Sequence, residues 1–263
     1  MQKWEKFEND CVKYLKSLYK SHDFKLTGGH NSNNCDIEVK KDGRFLCSLE
    51  CKMHSAQCGQ FVLFVDKKKR KITFSARNKT LCNKYVEAII KEMDTKFDEC
   101  FSSSKKDLPI SEKLIYQWVK DYYSNVKGTK FFITQSKYGN FIIIPIDRID
   151  KYFSFTAKYR MKISGSSSPS ESNLDEINDL LIKNELNAKL EYSNSMCYAK
   201  FSCNKEKFVL KGAKYRYQFT KSGCKYLIRR LSNTTNSNFI VSIKLKEENQ
   251  KESDFLEFTE LLK

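Results

Sequence analysis

The chain has 263 residues, with 48 Lys and Arg against 32 Asp and Glu, for a formal charge of +16. That length allows one large domain or two small ones, and 40% apolar residues with only 3 Pro and 9 Gly exclude a disordered chain. The longest apolar runs, Phe61–Val65 and Phe141–Ile144, fall far short of the roughly 20 residues a membrane-spanning helix needs.

The opening Met1-Gln2-Lys3-Trp4-Glu5 lacks the apolar stretch of a signal peptide. The expectation is therefore a cytoplasmic protein with no membrane contact, whose ten cysteines are free thiols. Residues 2–20 predict an amphipathic helix, because Trp4, Phe7, Cys11, Leu15 and Leu18 recur at three- and four-residue steps. The loop holding Gly28, Gly29 and His30 reads equally as a neighbour of DNA and as polar surface. Two strands, 35–41 and 44–52, follow around Asp42-Gly43, and a second hairpin pairs Phe61–Val65 with Ile72–Phe74. Its tip is the basic run Lys67–Lys71. A helix over 80–100 presents Leu81, Tyr85, Ala88, Ile89, Met93 and Phe97, and Ser111 caps another carrying Leu114, Ile115, Trp118 and Tyr122. Phe131–Thr134 and Phe141–Ile146 read as buried strands, and Asp147–Phe153 as a helical turn.

Beyond Phe155 the texture changes. Phe155, Ala157, Tyr159, Met161 and Ile163 alternate with Thr156, Lys158, Arg160, Lys162 and Ser164, the mark of a strand with one buried and one basic face. A Ser-rich loop over 164–172, a helix near 173–186 and short strands complete the pattern. Residues 195–231 hold ten basic residues against one acid, Glu206, a net of +9. Such a concentration suits a polyanion, most simply nucleic acid, through neutralisation and counterion release; a charged solubility surface is the plainer alternative.

The chemistry-bearing pattern is Asp36 followed by Glu50-Cys51-Lys52. A metal-dependent phosphodiesterase needs hard oxygen ligands for Mg²⁺ and a cation near the attacking water. Glu50 and Lys52, two apart on a strand, point to one face. Phe45, Cys47, Leu49 and Cys51 then face the core, as do Cys35, Ile37 and Val39, which leaves Asp36 and Glu38 with the catalytic set. For Asp36 and Glu50 to share a face the hairpin needs an odd-length loop or a bulge. A three-residue loop Lys41-Asp42-Gly43 with Gly43 left-handed satisfies this and sets Asp36 diagonal to Glu50. An acid followed by E-x-K is also common in charged proteins without any activity.

In order and spacing, the helix, the Asp36 strand and the Glu50-Cys51-Lys52 strand resemble the PD-(D/E)XK nuclease core, with Cys35 in place of the family's Pro. The stretches Glu50–Met53 and Gln57–Leu63, the opening helix around Phe7-Glu8, the strand Lys130–Thr134, and Tyr159-Arg160 with Lys162 and Ser164–Ser166 resemble HhaI-type type II restriction endonucleases. The resemblance spans most of the first 170 residues. It implies an α/β (mixed α+β) fold, with a central mixed sheet flanked by helices over 1–154. A basic, β-rich DNA-recognition portion over 155–263 would follow, either separate or in the same compact domain. It further implies Mg²⁺-dependent double-strand cutting of DNA at a short palindrome, GCGC. Asp36, Glu50 and Lys52 would be catalytic, with Asp36, Glu50 and the Cys51 carbonyl on the metal and Glu8 as supporting acid. A DNA methyltransferase would be a functional but not a physical partner.

Arg160 and Lys162 are candidates for reading guanine, whose O6 and N7 both accept in the major groove. Ser164 is a further candidate for DNA contact, Gln57 and Gln60 read equally as DNA contacts or as structural hydrogen-bonding residues, and 195–231 is a candidate for tracking phosphates. Competing readings are a junction-resolving or repair nuclease on the same core and a non-catalytic DNA-binding protein. Cys47, Cys51, His54 and Cys58 sketch a metal cluster, but strand alternation turns Cys47 and Cys51 inward, where buried thiols are the plainer reading.

Overall fold

A computed structural model describes residues 2–27, 35–101, 107–163, 165–193, 195–232 and 235–263. His30 and Ser164 lie outside the described residues, as does the side chain of Lys162. The chain forms two compact units, Met1–Arg160 with Asn238–Lys263, and Met161–Ser237. Residues 155–160 and the last 26 residues, on the far side of the 154/155 boundary expected from sequence, go with the first unit. No described helix is long and apolar enough to cross a membrane.

The first unit opens with α1 (Lys3–Leu18). Cys11 and Leu15 are fully buried, whereas Leu18 at the helix end is 45% exposed. Five strands, β1 (Asp23–Leu26), β2 (Ile37–Lys41), β3 (Arg44–Cys51), β6 (Phe131–Gln135) and β7 (Phe141–Pro145), form a mixed sheet in the order β1-β2-β3-β6-β7. β3 and β6 run parallel and the other neighbours antiparallel. A second sheet in the order β5-β4-β15-β8 contains β4 (Ser55–Asp66), β5 (Lys71–Phe74), β8 (Phe153–Ile163) and β15 (Thr235–Leu245). The helices are α2 (Lys84–Thr95), α3 (Phe97–Phe101), α4 (Glu112–Asp121), α5 (Ile149–Tyr152) and α7 (Glu252–Leu261). All ten cysteines are free.

The five-stranded sheet is covered on both faces. One buries Ile37, Val39, Cys47, Leu49, Cys51, Phe131 and Ile133 with Cys11 and Leu15 of α1 and Phe258 of α7. The other buries Phe132, Ile142 and Ile144 with Trp118 of α4, Phe61 of β4 and Phe239 of β15. The alternation of β3 therefore holds from Cys47 to Cys51, but the face opposite the Cys47–Leu49–Cys51 row is not wet: Ser48, Glu50 and Lys52 are buried too.

The hairpin parity has a different origin from the expected three-residue loop. Lys41 pairs with Arg44, and Asp42 (φ 51°) and Gly43 (φ 77°) are both left-handed, a two-residue turn of the type favoured by Asp-Gly. The odd residue is a bulge at Leu46: Lys40 pairs with Phe45 but Val39 with Cys47. The bulge takes Phe45 out of the inward row, and it is 54% exposed. The register of Ile37 with Leu49 and Glu38 with Ser48, carried one residue further, sets Asp36 opposite Glu50 rather than diagonal to it.

Two helix limits also differ. α2 starts at the Asn83 cap, whose side chain accepts the Val86 N–H, so Leu81 lies outside the helix and is 90% exposed. Ser111 precedes α4, but its hydroxyl makes no cap bond; its backbone N–H donates to the Glu92 carboxylate. On β8, Phe155 and Ala157 are buried as expected, while Met161 is 58% exposed.

The second unit holds β9 (Ser166–Ser167), α6 (Leu174–Lys183), β10 (Lys189–Ser193), β11 (Met196–Lys200), β12 (Lys207–Lys211), β13 (Arg216–Ser222) and β14 (Lys225–Leu231). Its sheet runs β10-β11-β14-β13-β12, with β9 beside β14. Cys197, Ala199, Tyr217, Phe219, Tyr226 and Ile228 alternate along three strands and pack on Ile177, Leu180 and Leu181 of α6.

Candidate active site

Where α1 approaches the ends of β2 and β3, a cavity of about 430 Å³ is lined by Glu8, Asp36, Glu50, Cys51, Lys52 and Gln57, with Trp4 and Phe7 on the helix side. The local causes are sequential. The bulge sets the parity of the hairpin, β3 carries Glu50 to the sheet face shared with Phe132, and Lys52 lies just past the strand end. The Lys52 N–H donates to the Ile133 carbonyl at 2.9 Å, so β6 holds the residue in place.

Glu50 is the centre of the hydrogen bonding. Lys52 Nζ donates to its Oε1 at 2.7 Å, and Lys127 Nζ donates to Oε2 at 2.8 Å and Oε1 at 3.0 Å. Both ammonium groups stand over the Tyr123 ring, at 5.1 and 5.2 Å from its centroid. Tyr123 is itself fixed, its hydroxyl donating to the Cys58 carbonyl at 3.0 Å. Asp36 Oδ2 accepts the Cys51 N–H at 2.8 Å.

Burial pushes Glu8 up to about 7, aided by the Asp36 and Glu50 charges. Burial and Glu50 likewise push Asp36 up to about 6, against the opposing pull of Lys52, the Cys51 N–H and Lys127. Burial alone would lower the Lys52 ammonium, but Glu50, Cys58 and Asp36 reverse this and hold it above the usual lysine range. Three carboxylates thus share a poorly solvated space in which two disfavour their own ionisation. That is an environment a hard cation would relieve, and carboxylate and carbonyl oxygens are suitable donors for one.

Asp36, Glu50, Lys52, Cys51, Glu8 and Gln57 come together in this cavity. Gln60 does not line it; it accepts from Gln57 Nε2 at 3.3 Å. Arg160 is exposed on β8 and away from the cavity lining. Glu38 is absent from the lining and pairs with Lys40 at 3.5 Å. The thiol cluster does not form. Burial pushes Cys47 up to about 12 and Cys58 up to about 11, His54 Nε2 bonds Glu248, and no cluster of three His, Cys, Asp or Glu side chains fit for a metal occurs among the described residues.

Sequence reasoning missed Lys127 and Tyr123. Among 48 basic residues nothing in the spacing separates Lys127 from a surface lysine, and its place is set by tertiary contacts. A single π-turn, Tyr122–Val126, extends α4 and closes with the Lys127 N–H donating to the Tyr122 carbonyl. Ser48 of β3 then donates to the Gly128 carbonyl and accepts at its own carbonyl from the Lys130 N–H.

No protein-family model and no curated protein matches the sequence. The fold is similar to a solved structure of HhaI endonuclease in complex with DNA, with a TM-score of 0.83 and 30% sequence identity over 99% of each chain. With a shared mixed α+β architecture along its whole length, the chain belongs to the family of HhaI-type restriction endonucleases.

Proposed function

We propose that this type II restriction endonuclease cuts both strands of DNA at a short palindrome, GCGC, using Mg²⁺ held by Asp36, Glu50 and the Cys51 carbonyl. The observation that carries the reading is the set Asp36, Glu50 and Lys52 lining one cavity, with Lys52 Nζ 2.7 Å from Glu50. These are the donors and the cation of a PD-(D/E)XK site. Mg²⁺ bound there would supply Lewis acidity toward the scissile phosphate and a lowered pKa for water.

The protein's own groups do the rest. Lys52 positions the attacking water and steadies the charge that grows on the phosphate oxygens. A water oxygen bonds to phosphorus as the bond to the 3′ oxygen breaks, and a proton passes to that oxygen. The products are a 5′-phosphate and a 3′-hydroxyl. Glu8, held up to about 7, is the supporting acid. Arg160 and Lys162 read guanine edges, with Ser164, Gln57 and Gln60 in adjoining contacts, and the basic strands of 195–231 follow the backbone. On this reading the enzyme would act in the cytoplasm, alongside a methyltransferase that protects host sites without binding this chain.

Sequencing the ends of a plasmid digested in Mg²⁺ tests activity, site and cut position together. Discrete fragments ending at one palindrome are expected, and Lys52→Ala should retain DNA binding without cutting. Undiminished cutting by Lys52→Ala would sink the site assignment. Nicking confined to branched DNA would favour a junction-resolving enzyme, and binding without cleavage in Mg²⁺ or Mn²⁺ a non-catalytic protein.

A further inference from the structure

Lys127 is an unusual neighbour for a carboxylate assigned to a metal. Its side chain is only 7% exposed and that of Glu50 only 3%, so the ammonium sits where desolvation is expensive and must be offset by its partner. Nothing about its location is accidental. The segment that presents it is pinned on both sides, through the Lys127 N–H to Tyr122, the Thr129 N–H to the Tyr123 carbonyl at 2.8 Å, and Ser48 to Gly128 and Lys130. The ammonium donates charge-assisted bonds to both oxygens of one carboxylate.

Lys52 already supplies Glu50 with a cationic partner at 2.7 Å. A second ammonium is therefore more than the fold needs to neutralise a single carboxylate. Its effect is to place N–H donors on both Glu50 oxygens, where they compete with a divalent cation for the carboxylate's limited lone pairs. It also reduces the negative charge of a cavity that holds Glu8, Asp36 and Glu50. Each effect weakens cation binding.

We propose that Lys127 is a positioning residue that holds the Glu50 carboxylate in place and competes with the divalent cation for it. The proposal rests on the metal reading above. Lys127 then sets how much cation the enzyme needs and keeps Glu50 paired until the cation arrives.

Calorimetric titration of the full chain with Ca²⁺ and Mn²⁺, without DNA, tests this with no reliance on cleavage. Lys127→Met should bind either ion about tenfold or more tightly than wild type, the scale of one charge-assisted hydrogen bond. Lys127→Arg, which restores charge and donors, should return to wild-type affinity. The cation concentration for half-maximal cleavage should fall in Lys127→Met in parallel. Should Lys127→Met not fold, Lys127→Gln, which lacks the charge, carries the same comparison. Equal or weaker ion binding by the uncharged variants overturns the proposal while leaving the metal reading intact. Absence of ion binding by wild type and all variants overturns both.

Discussion

In the first unit three charged side chains at the cavity are dry and tightly paired, Glu50 lying buried between Lys52 and Lys127. In the second unit the opposite arrangement holds. Lys200, Lys205, Lys207 and Lys211 project from strands β11 and β12 or their connection and are exposed, while the apolar row Tyr217, Phe219, Tyr226 and Ile228 packs on α6. The difference separates two uses of charge. Groups that stabilise a transition state act through fixed positions in a low-dielectric space, so each is individually indispensable. Groups that attract a polyanion act through counterion release, so their contributions are many, hydrated and nearly interchangeable.

Mutation should expose that asymmetry. The largest effect is expected from Glu50→Ala, which should lower the cleavage rate by about 10³-fold or more, with DNA affinity within about threefold of wild type. Gel-shift and single-turnover assays on one duplex measure both, and a parallel fall in affinity would place Glu50 in the grip instead. Replacing Lys205, Lys207 and Lys211 together by Gln should do the reverse. Affinity should drop, and the slope of log K against log salt should shrink by about 0.9 for each phosphate no longer neutralised, while the cleavage rate of fully bound DNA stays unchanged.

Within the first unit, Gly59→Ala should cost about 3 kcal/mol in urea unfolding. A Cβ there would lie 2.8 Å from the Trp118 ring, at a φ of +154° that L side chains rarely adopt. A loss under about 1 kcal/mol would mean that Trp118 moves aside at little cost. The smallest effect is a pH dependence. Glu8 and Asp36 titrate in the fold near 7 and 6, above their ordinary 4.5 and 3.8. Their raised values stabilise the fold fully below about pH 4, and the benefit is lost as pH rises through 6 and 7. In EDTA the melting temperature of wild type should therefore fall from pH 5 to pH 8 by more than that of Glu8→Gln, and Mg²⁺ at pH 8 should recover part of the difference. A Glu8→Gln profile parallel to wild type would remove Glu8 from the coupled set.

Local regularities were legible because their causes are local. The three- and four-residue steps of α1 hold Cys11 and Leu15 in the core, the row Cys47, Leu49 and Cys51 follows from the two-residue repeat of a strand, and Glu50 and Lys52 share a face for the same reason. Asp42-Gly43 announced the place of its turn but not its length, which is two residues and not three. What lay beyond that reach had non-local causes. The bulge that sets Asp36 against Glu50 depends on pairing across the hairpin. The burial of Ser48, Glu50 and Lys52 depends on the layer that covers their face. The return of 238–263 to the first unit depends on strand β15 finding a place between β4 and β8.

The opening charge of +16 shows the same division. By itself the sequence determined that basic residues concentrate in 195–231 and that two acids and a lysine stand at nuclease spacing, because both are properties of order along the chain. Only the tertiary structure decided that one further lysine, Lys127, leaves the solvated majority to sit 2.8 Å from Glu50. An ammonium is buried only where a fixed carboxylate offsets its lost hydration, and that partner is 77 residues away along the chain.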